Sequence, residues 1–207
     1  MTLTLETLKQ GVDDLIAVDP DLKRIYLETG LPPLWNREPG FATLVAIILE
    51  QQVSLASARA AFLKLQDAIQ PVTPVCFLTL SDGSLKAIGF SRQKTSYCRG
   101  LAQAILDLEL DLEGLGDLDD RSVRLELVKI KGIGSWTADI YLLMALLRPD
   151  IWPAGDLALV AAVSRVKGLS SKPTPDEWEQ LSLPWRPWRA VAARLFWSYY
   201  LANLNLS

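Results

Sequence analysis

Chemistry in this chain concentrates between residues 125 and 156. Gly132-Ile133-Gly134 follows a short apolar stretch containing Leu127, Val128 and Ile130, and it opens a run of helix formers that begins at Ser135. Two glycines at a helix entrance permit a tight turn and leave several backbone N–H groups pointing outward with no side chain over them. A concave set of amides of this kind suits a phosphate. The amides in question are those of Gly132, Gly134 and Ser135 to Thr137, flanked by Lys129 and Lys131. Beyond the helix, Trp152-Pro153-Ala154-Gly155 leads to Asp156, an acidic residue placed to cap a helix that starts at Leu157. Taken alone, Asp156 reads as a cap well before it reads as a catalyst. The roles are compatible, because a helix N-terminus stabilises a carboxylate.

The composition removes several chemistries. Among 207 residues there is no histidine and there are two cysteines, Cys76 and Cys98, which excludes imidazole triads, the usual zinc sites and a four-cysteine iron–sulfur cluster. The cysteines read as ordinary buried thiols. No stretch resembles a transmembrane span or a secretory leader, so a soluble cytoplasmic protein is expected. The formal net charge of −3 argues against a polyanionic partner, but it is unevenly distributed. Residues 1–120 hold 10 basic and 17 acidic side chains, whereas residues 121–207 hold 11 basic and 7 acidic, so the half containing the glycine turn is the basic one. The acidic stretch 107–120 should face away from any polyanion.

The elements that position these residues read as helices throughout, with no alternating β-branched run. Two short helices are expected over 3–30 with Asp19-Pro20 as the break, then a loop over 31–40 and one long buried helix over 41–65. Glu50-Gln51-Gln52-Val53-Ser54 interrupts the apolar pattern of that helix and reads, as residues alone, as a bend with satisfied amides. A shorter helical piece follows over 75–85, then a helix to about residue 108 that Ser91 caps. Arg92 and Lys94 in its first turn oppose the helix dipole, which signals either a nearby anion or a solvated turn. After the glycine turn, helices are expected over 135–148, 157–166, from 176, and from 184 to about 200.

The helix, glycine turn and helix over 125–148, with Asp156 beyond, resemble the helix-hairpin-helix DNA glycosylase superfamily, and within it the 3-methyladenine DNA glycosylase II branch. The resemblance covers roughly residues 15–200, and it includes the Gln-Gln-Val-Ser run and a closing Trp-x-Pro-Trp-Arg segment. It implies an all-α fold of two helical lobes forming a single glycosylase domain over 1–207, with the active site in the cleft between them. A compact form without the N-terminal β-domain of larger members is expected. The implied catalyst is Asp156. The implied base pocket holds Trp136, Trp197 and Ile140, with Trp35 and Phe41 as weaker contributors. Ile140 stands where the family carries a tyrosine, which opens the base preference. The implied DNA contacts are Gly132, Gly134, Ser135, Thr137 and Lys131, with Gln52 as the plug filling the gap left by an extruded base. Carbonyls of Val128, Ile130 and Ile133 would hold a sodium or potassium ion, and no other cofactor is implied.

The implied activity is hydrolytic excision of alkylated purines from double-stranded DNA by a monomer in base excision repair. Trp136 occupies the place where bifunctional relatives carry a Schiff-base lysine, so no lyase step is expected. Two other readings stay open: a non-catalytic lesion-binding module, and a glycosylase for a deaminated base.

Overall fold

The computed structural model describes residues 2–203, and every regular element among them is helical. They divide into two compact units, one built from the residues up to Asn36 together with those from Leu142 onward, the other from Arg37–Tyr141.

In the first unit, α1 (Leu5–Val18) and α2 (Pro20–Thr29) meet at Asp19, the expected break. Asp19 caps α2 by accepting from the N–H groups of Asp21 and Leu22, and Pro20 supplies a first-turn residue that has no N–H to satisfy. The same carboxylate accepts from Lys167 Nζ at 2.8 Å and from the Trp185 indole N–H at 2.8 Å. Burial pushes its carboxyl up, but these donors and the Lys167 charge outweigh that and hold it below the usual value.

The C-terminal helix of this unit, Arg189–Ala202, is its axis, and nine consecutive residues from Arg189 to Trp197 are buried. A helix buried all round explains why its sequence lacks a polar face. Trp152 stacks on Trp178 at 4.8 Å and tilts against Trp185 at 5.1 Å, and with Trp188 and Trp197 also buried, five of the seven tryptophans are in the interior.

In the second unit the expected long helix over 41–65 is two. α3 (Phe41–Glu50) buries Leu44, Val45, Ile47 and Ile48 completely. α4 (Leu55–Ala68) starts afresh at Ser54, whose hydroxyl accepts from the Ser57 N–H. The break follows from chemistry: Gln51 turns its side chain to the Gly132 carbonyl and Thr137 hydroxyl, and a serine N-cap offers the chain a clean restart. Gln52 takes a left-handed conformation there, at φ 58°.

Next come α5 (Pro74–Thr79), α6 (Asp82–Ile88) and α7 (Arg92–Leu106), so the expected single piece over 75–85 is also two helices. Ser91 caps α7 as expected, accepting from the Lys94 N–H. Of the two first-turn cations, Arg92 is exposed and Lys94 turns inward. Lys94 Nζ donates to the Leu49 carbonyl at 2.7 Å, so it supports the C-terminal end of α3.

α8 (Asp120–Val128) and α9 (Ser135–Met144) flank the glycine turn. α9 stops four residues short of the expected Arg148. Leu147 turns left-handed at φ 52°, the Arg148 N–H returns to the Leu142 carbonyl, and Arg194 donates to the Leu143 carbonyl at 2.8 Å. That guanidinium, fully buried and lowered by desolvation to about 9, also donates to the carbonyls of Leu34 and Ala190. α10 (Leu157–Lys167) and α11 (Pro175–Ser182) lie close to their expected ranges, whereas α12 (Arg189–Ala202) begins five residues after the expected 184, because Leu183–Trp185 form a separate 3-10 turn and Arg186 is extended.

Candidate active site and nucleic-acid interface

The hairpin lies in the second unit and is built from both its flanking helices. Arg124 of α8 pairs with Asp139 of α9, an acid only 4% exposed, which fixes the two helices across the turn. Gly132 adopts φ 96°, and a Cβ there would lie 2.2 Å from Cγ of Tyr97 on α7. The position therefore needs glycine twice over, for its backbone and for the ring against it. Gly134 differs, since a Cβ there would meet nothing within 4 Å. Open space in front of Gly134 is what an incoming phosphate requires. The Ile133 N–H is turned inward to the Ile130 carbonyl at 3.0 Å, so the outward set begins at Gly134 and continues into the first turn of α9.

Ser135 and Lys131 are exposed, and Lys129 is exposed but tied to Glu126 at 2.7 Å. Thr137 is different: the residue is 1% exposed and its hydroxyl accepts from Gln51 Nε2 at 3.0 Å, so it braces the hairpin from within. Among the three residues expected to offer carbonyls to a cation, Ile130 and Ile133 are buried and Val128 is exposed. No group of three or more His, Cys, Asp or Glu side chains among the described residues could hold a metal.

Gln52 is exposed at the tip of the α3–α4 break, as a plug requires. Its neighbour Gln51 was not singled out by the sequence, yet it spans to the hairpin, donating to the Gly132 carbonyl at 2.9 Å as well as to Thr137. No local pattern reports such a contact, because the partners lie 81 and 86 residues away.

Asp156 lies in the first unit, 8% exposed, at the N-terminus of α10. One carboxylate oxygen accepts from the Leu159 N–H at 2.8 Å and from the Trp197 indole N–H at 3.2 Å. The cap reading is thus correct, and the cap is held by a second donor that capping does not require. Trp35 sets its ring edge-on to Trp197, with centroids 6.2 Å apart, and does so from a left-handed backbone at φ 46°. Strained backbone at a large aromatic residue persists only where its surroundings enforce it. Asp156, Trp197 and Trp35 therefore form one cluster.

Trp136 is half-buried on α9, and Ile140 on the same helix is 2% exposed. Beside it, the Tyr141 hydroxyl accepts the Gly40 N–H at 3.0 Å, and burial raises the phenol above its usual value. The tyrosine next to the expected pocket position is thus committed to supporting the start of α3.

Over 184 residues the chain is 30% identical to the DNA-3-methyladenine glycosylase of Bacillus subtilis, covering 81% of this chain and 57% of that protein. It is 28% identical over 212 residues to the DNA-3-methyladenine glycosylase 1 of Schizosaccharomyces pombe, covering 95% of this chain and 92% of that one. The chain spans less than two thirds of the length of several other curated relatives it matches. The solved Schizosaccharomyces pombe 3-methyladenine DNA glycosylase in complex with abasic DNA superposes with a TM-score of 0.85 at 25% identity, covering 91% of this chain and 95% of that one. A family model matches residues 45–187, a stretch that contains both flanks of the hairpin and Asp156. The chain belongs to the HhH-GPD superfamily of base excision DNA repair proteins.

Proposed function

We propose that this protein is a monofunctional DNA glycosylase that excises alkylated purines of the 3-methyladenine type from double-stranded DNA. The observation that carries the reading is the Asp156 carboxylate, held by Leu159 and Trp197 at the head of α10 with Trp35 edge-on behind. The 3-methyladenine glycosylases among its relatives support the substrate class.

The chemistry is hydrolysis of an N-glycosidic bond. As that bond lengthens, its electron pair leaves with the base and positive charge develops on the sugar, as in glycosidase transition states. Asp156 stabilises that charge and takes a proton from the water that adds to C1′, leaving an abasic site. An alkylated purine already carries positive charge and departs neutral, so a second acid is not required. Aromatic faces attract a cationic base, and Trp197, Trp136 and Ile140 are the residues proposed to contact it. Extruding a base costs a few kcal/mol and is cheapest at damaged pairs, which adds selectivity. Gly134, Ser135 and the first amides of α9 hold a backbone phosphate, Lys131 adds charge, and Gln52 fills the vacated stack.

With tryptophan at 136 there is no amine to form a Schiff base, so the reaction stops at hydrolysis without β-elimination. A sodium or potassium ion at the hairpin would take backbone oxygens of Val128, Ile130 and Ile133. The Ile130 carbonyl accepts one hydrogen bond and retains a lone pair, which fits a neutral oxygen donor. Bound there, the ion would add positive charge at the phosphate site. The protein acts as a cytoplasmic monomer.

The test is incubation with methylated duplex DNA, following free bases by chromatography and strand breaks after alkali. Release of 3-methyladenine, with breaks only after alkali, is the expected result. Breaks without alkali would overturn the monofunctional assignment, and no release would overturn the activity. The net charge of −3 favours one rival, a lesion-binding module without catalysis. Binding without release from either alkylated or deaminated duplexes would establish it.

A further inference from the structure

Gln51 links two features that the proposed function treats separately, the phosphate-binding hairpin and the plug. We infer that it is a positioning residue that couples phosphate capture at the hairpin to insertion of Gln52, an inference that rests on the glycosylase reading above.

The backbone of Gln51 ends α3, with its N–H returning to the Ile48 carbonyl. Both N–H bonds of its side-chain amide then go to the hairpin, one to the Gly132 carbonyl at 2.9 Å and one to Thr137 Oγ1 at 3.0 Å. An amide nitrogen has two donors, so its capacity is filled. Thr137 is 1% exposed, so water is a poor substitute for Gln51 at its hydroxyl. The tie also grips a specific peptide plane. The Gly132–Ile133 peptide is held at its oxygen by Gln51 and at its nitrogen by the Ile130 carbonyl. The amides that face a phosphate begin with the next residue, Gly134.

On the other side of the tie stands Gln52, left-handed at φ 58° and exposed. A non-glycine residue holds that conformation only against steric strain, so something must hold it. Ser54 anchors the following residues by capping α4, and Gln51 anchors the preceding one. The turn over 51–54 is therefore clamped between α4 and the hairpin. A phosphate pulling on the amides after Gly132 loads the peptide that Gln51 grips, and the grip sets where Gln52 points.

A residue acting through Gln52 makes a prediction that a merely structural one does not. Removing it must matter only while Gln52 is present. The experiment uses duplexes with 2-aminopurine opposite a tetrahydrofuran abasic analogue to report insertion, and single-turnover base release from methylated DNA. Gln51→Met is expected to lower both the fluorescence rise and the rate by about tenfold. Affinity for undamaged duplex and its salt slope should change less than about twofold. In a Gln52→Ala background, adding Gln51→Met should cause no further loss.

Losses that multiply in the double variant of an active enzyme would overturn the inference alone. A wild type without base release would overturn it together with the glycosylase reading. Should Gln51→Met fail to fold, Thr137→Val removes one acceptor with little change of shape, and the same non-additivity with Gln52→Ala decides the matter.

Discussion

The two hairpin glycines should separate stability from DNA binding when each is changed to alanine. At position 132 the new Cβ would sit 2.2 Å from Tyr97 Cγ, 2.4 Å from Cδ2 and 2.7 Å from the tyrosine Cβ. These atoms are the root of the ring, which cannot swing away as a flexible tip would. Overpacking of this kind costs about 1–3 kcal/mol, and placing an L-residue at φ 96° adds at least ~1 kcal/mol. A loss of roughly 2–4 kcal/mol in a chain of this size lowers the melting temperature by on the order of 10 °C. At position 134 there is nothing within 4 Å and no left-handed φ, so Gly134→Ala should stay within about 0.5 kcal/mol of wild type. Its methyl group would instead occupy the space in front of the phosphate-binding amides. Thermal melting by circular dichroism and fluorescence anisotropy with undamaged duplex at fixed salt would read the two effects. The expected pattern is a destabilised Gly132→Ala and a stable Gly134→Ala with DNA binding weakened about tenfold. A Gly134→Ala protein that binds like wild type, or a Gly132→Ala protein that melts like it, would refute the division of labour.

Lys131→Ala should reduce the salt slope of DNA binding by about 0.9, whereas Lys94→Met should leave it unchanged, because Lys94 serves the Leu49 carbonyl; titration at several salt concentrations distinguishes them. Trp197→Phe keeps an aromatic side chain, though a smaller one, and removes the donor to Asp156, so single-turnover base release should fall about fivefold while DNA affinity holds. Asp19→Asn should lower stability at neutral pH by about 1–3 kcal/mol in urea titrations. Its carboxyl lies below its usual 3.8, so the stabilisation is complete above that value and is lost as pH falls through the folded pKa; the gap between wild type and variant should close in that acidic range.

Much of the fold is legible because helix ends carry local chemistry. Asp19-Pro20, Ser91 and Asp156 each mark a cap that depends on residues within three positions. The misplaced boundaries have long-range causes. α9 ends early because Arg194, 51 residues away, takes the Leu143 carbonyl. The 41–65 region divides because Gln51 finds its partners in the hairpin and Ser54 restarts the chain. The same distinction holds at the site. Asp156 and the glycines stand out by type and spacing, whereas Gln51 and Tyr97 matter through contacts no window of sequence contains. Thr137 shows the converse, since its position in the hairpin suggested a DNA contact and its side chain proves to be buried.

The most direct test of the central claim compares wild type with Asp156→Asn. Asparagine preserves an oxygen for the α10 cap and the shape of the site, but it removes the charge that would stabilise the developing cation on the sugar. Free-base release from methylated duplex DNA and affinity for the same DNA should be measured together. Release that falls by at least about a hundredfold, with affinity retained, is the predicted result. Equal release from both proteins would contradict a catalytic role for Asp156.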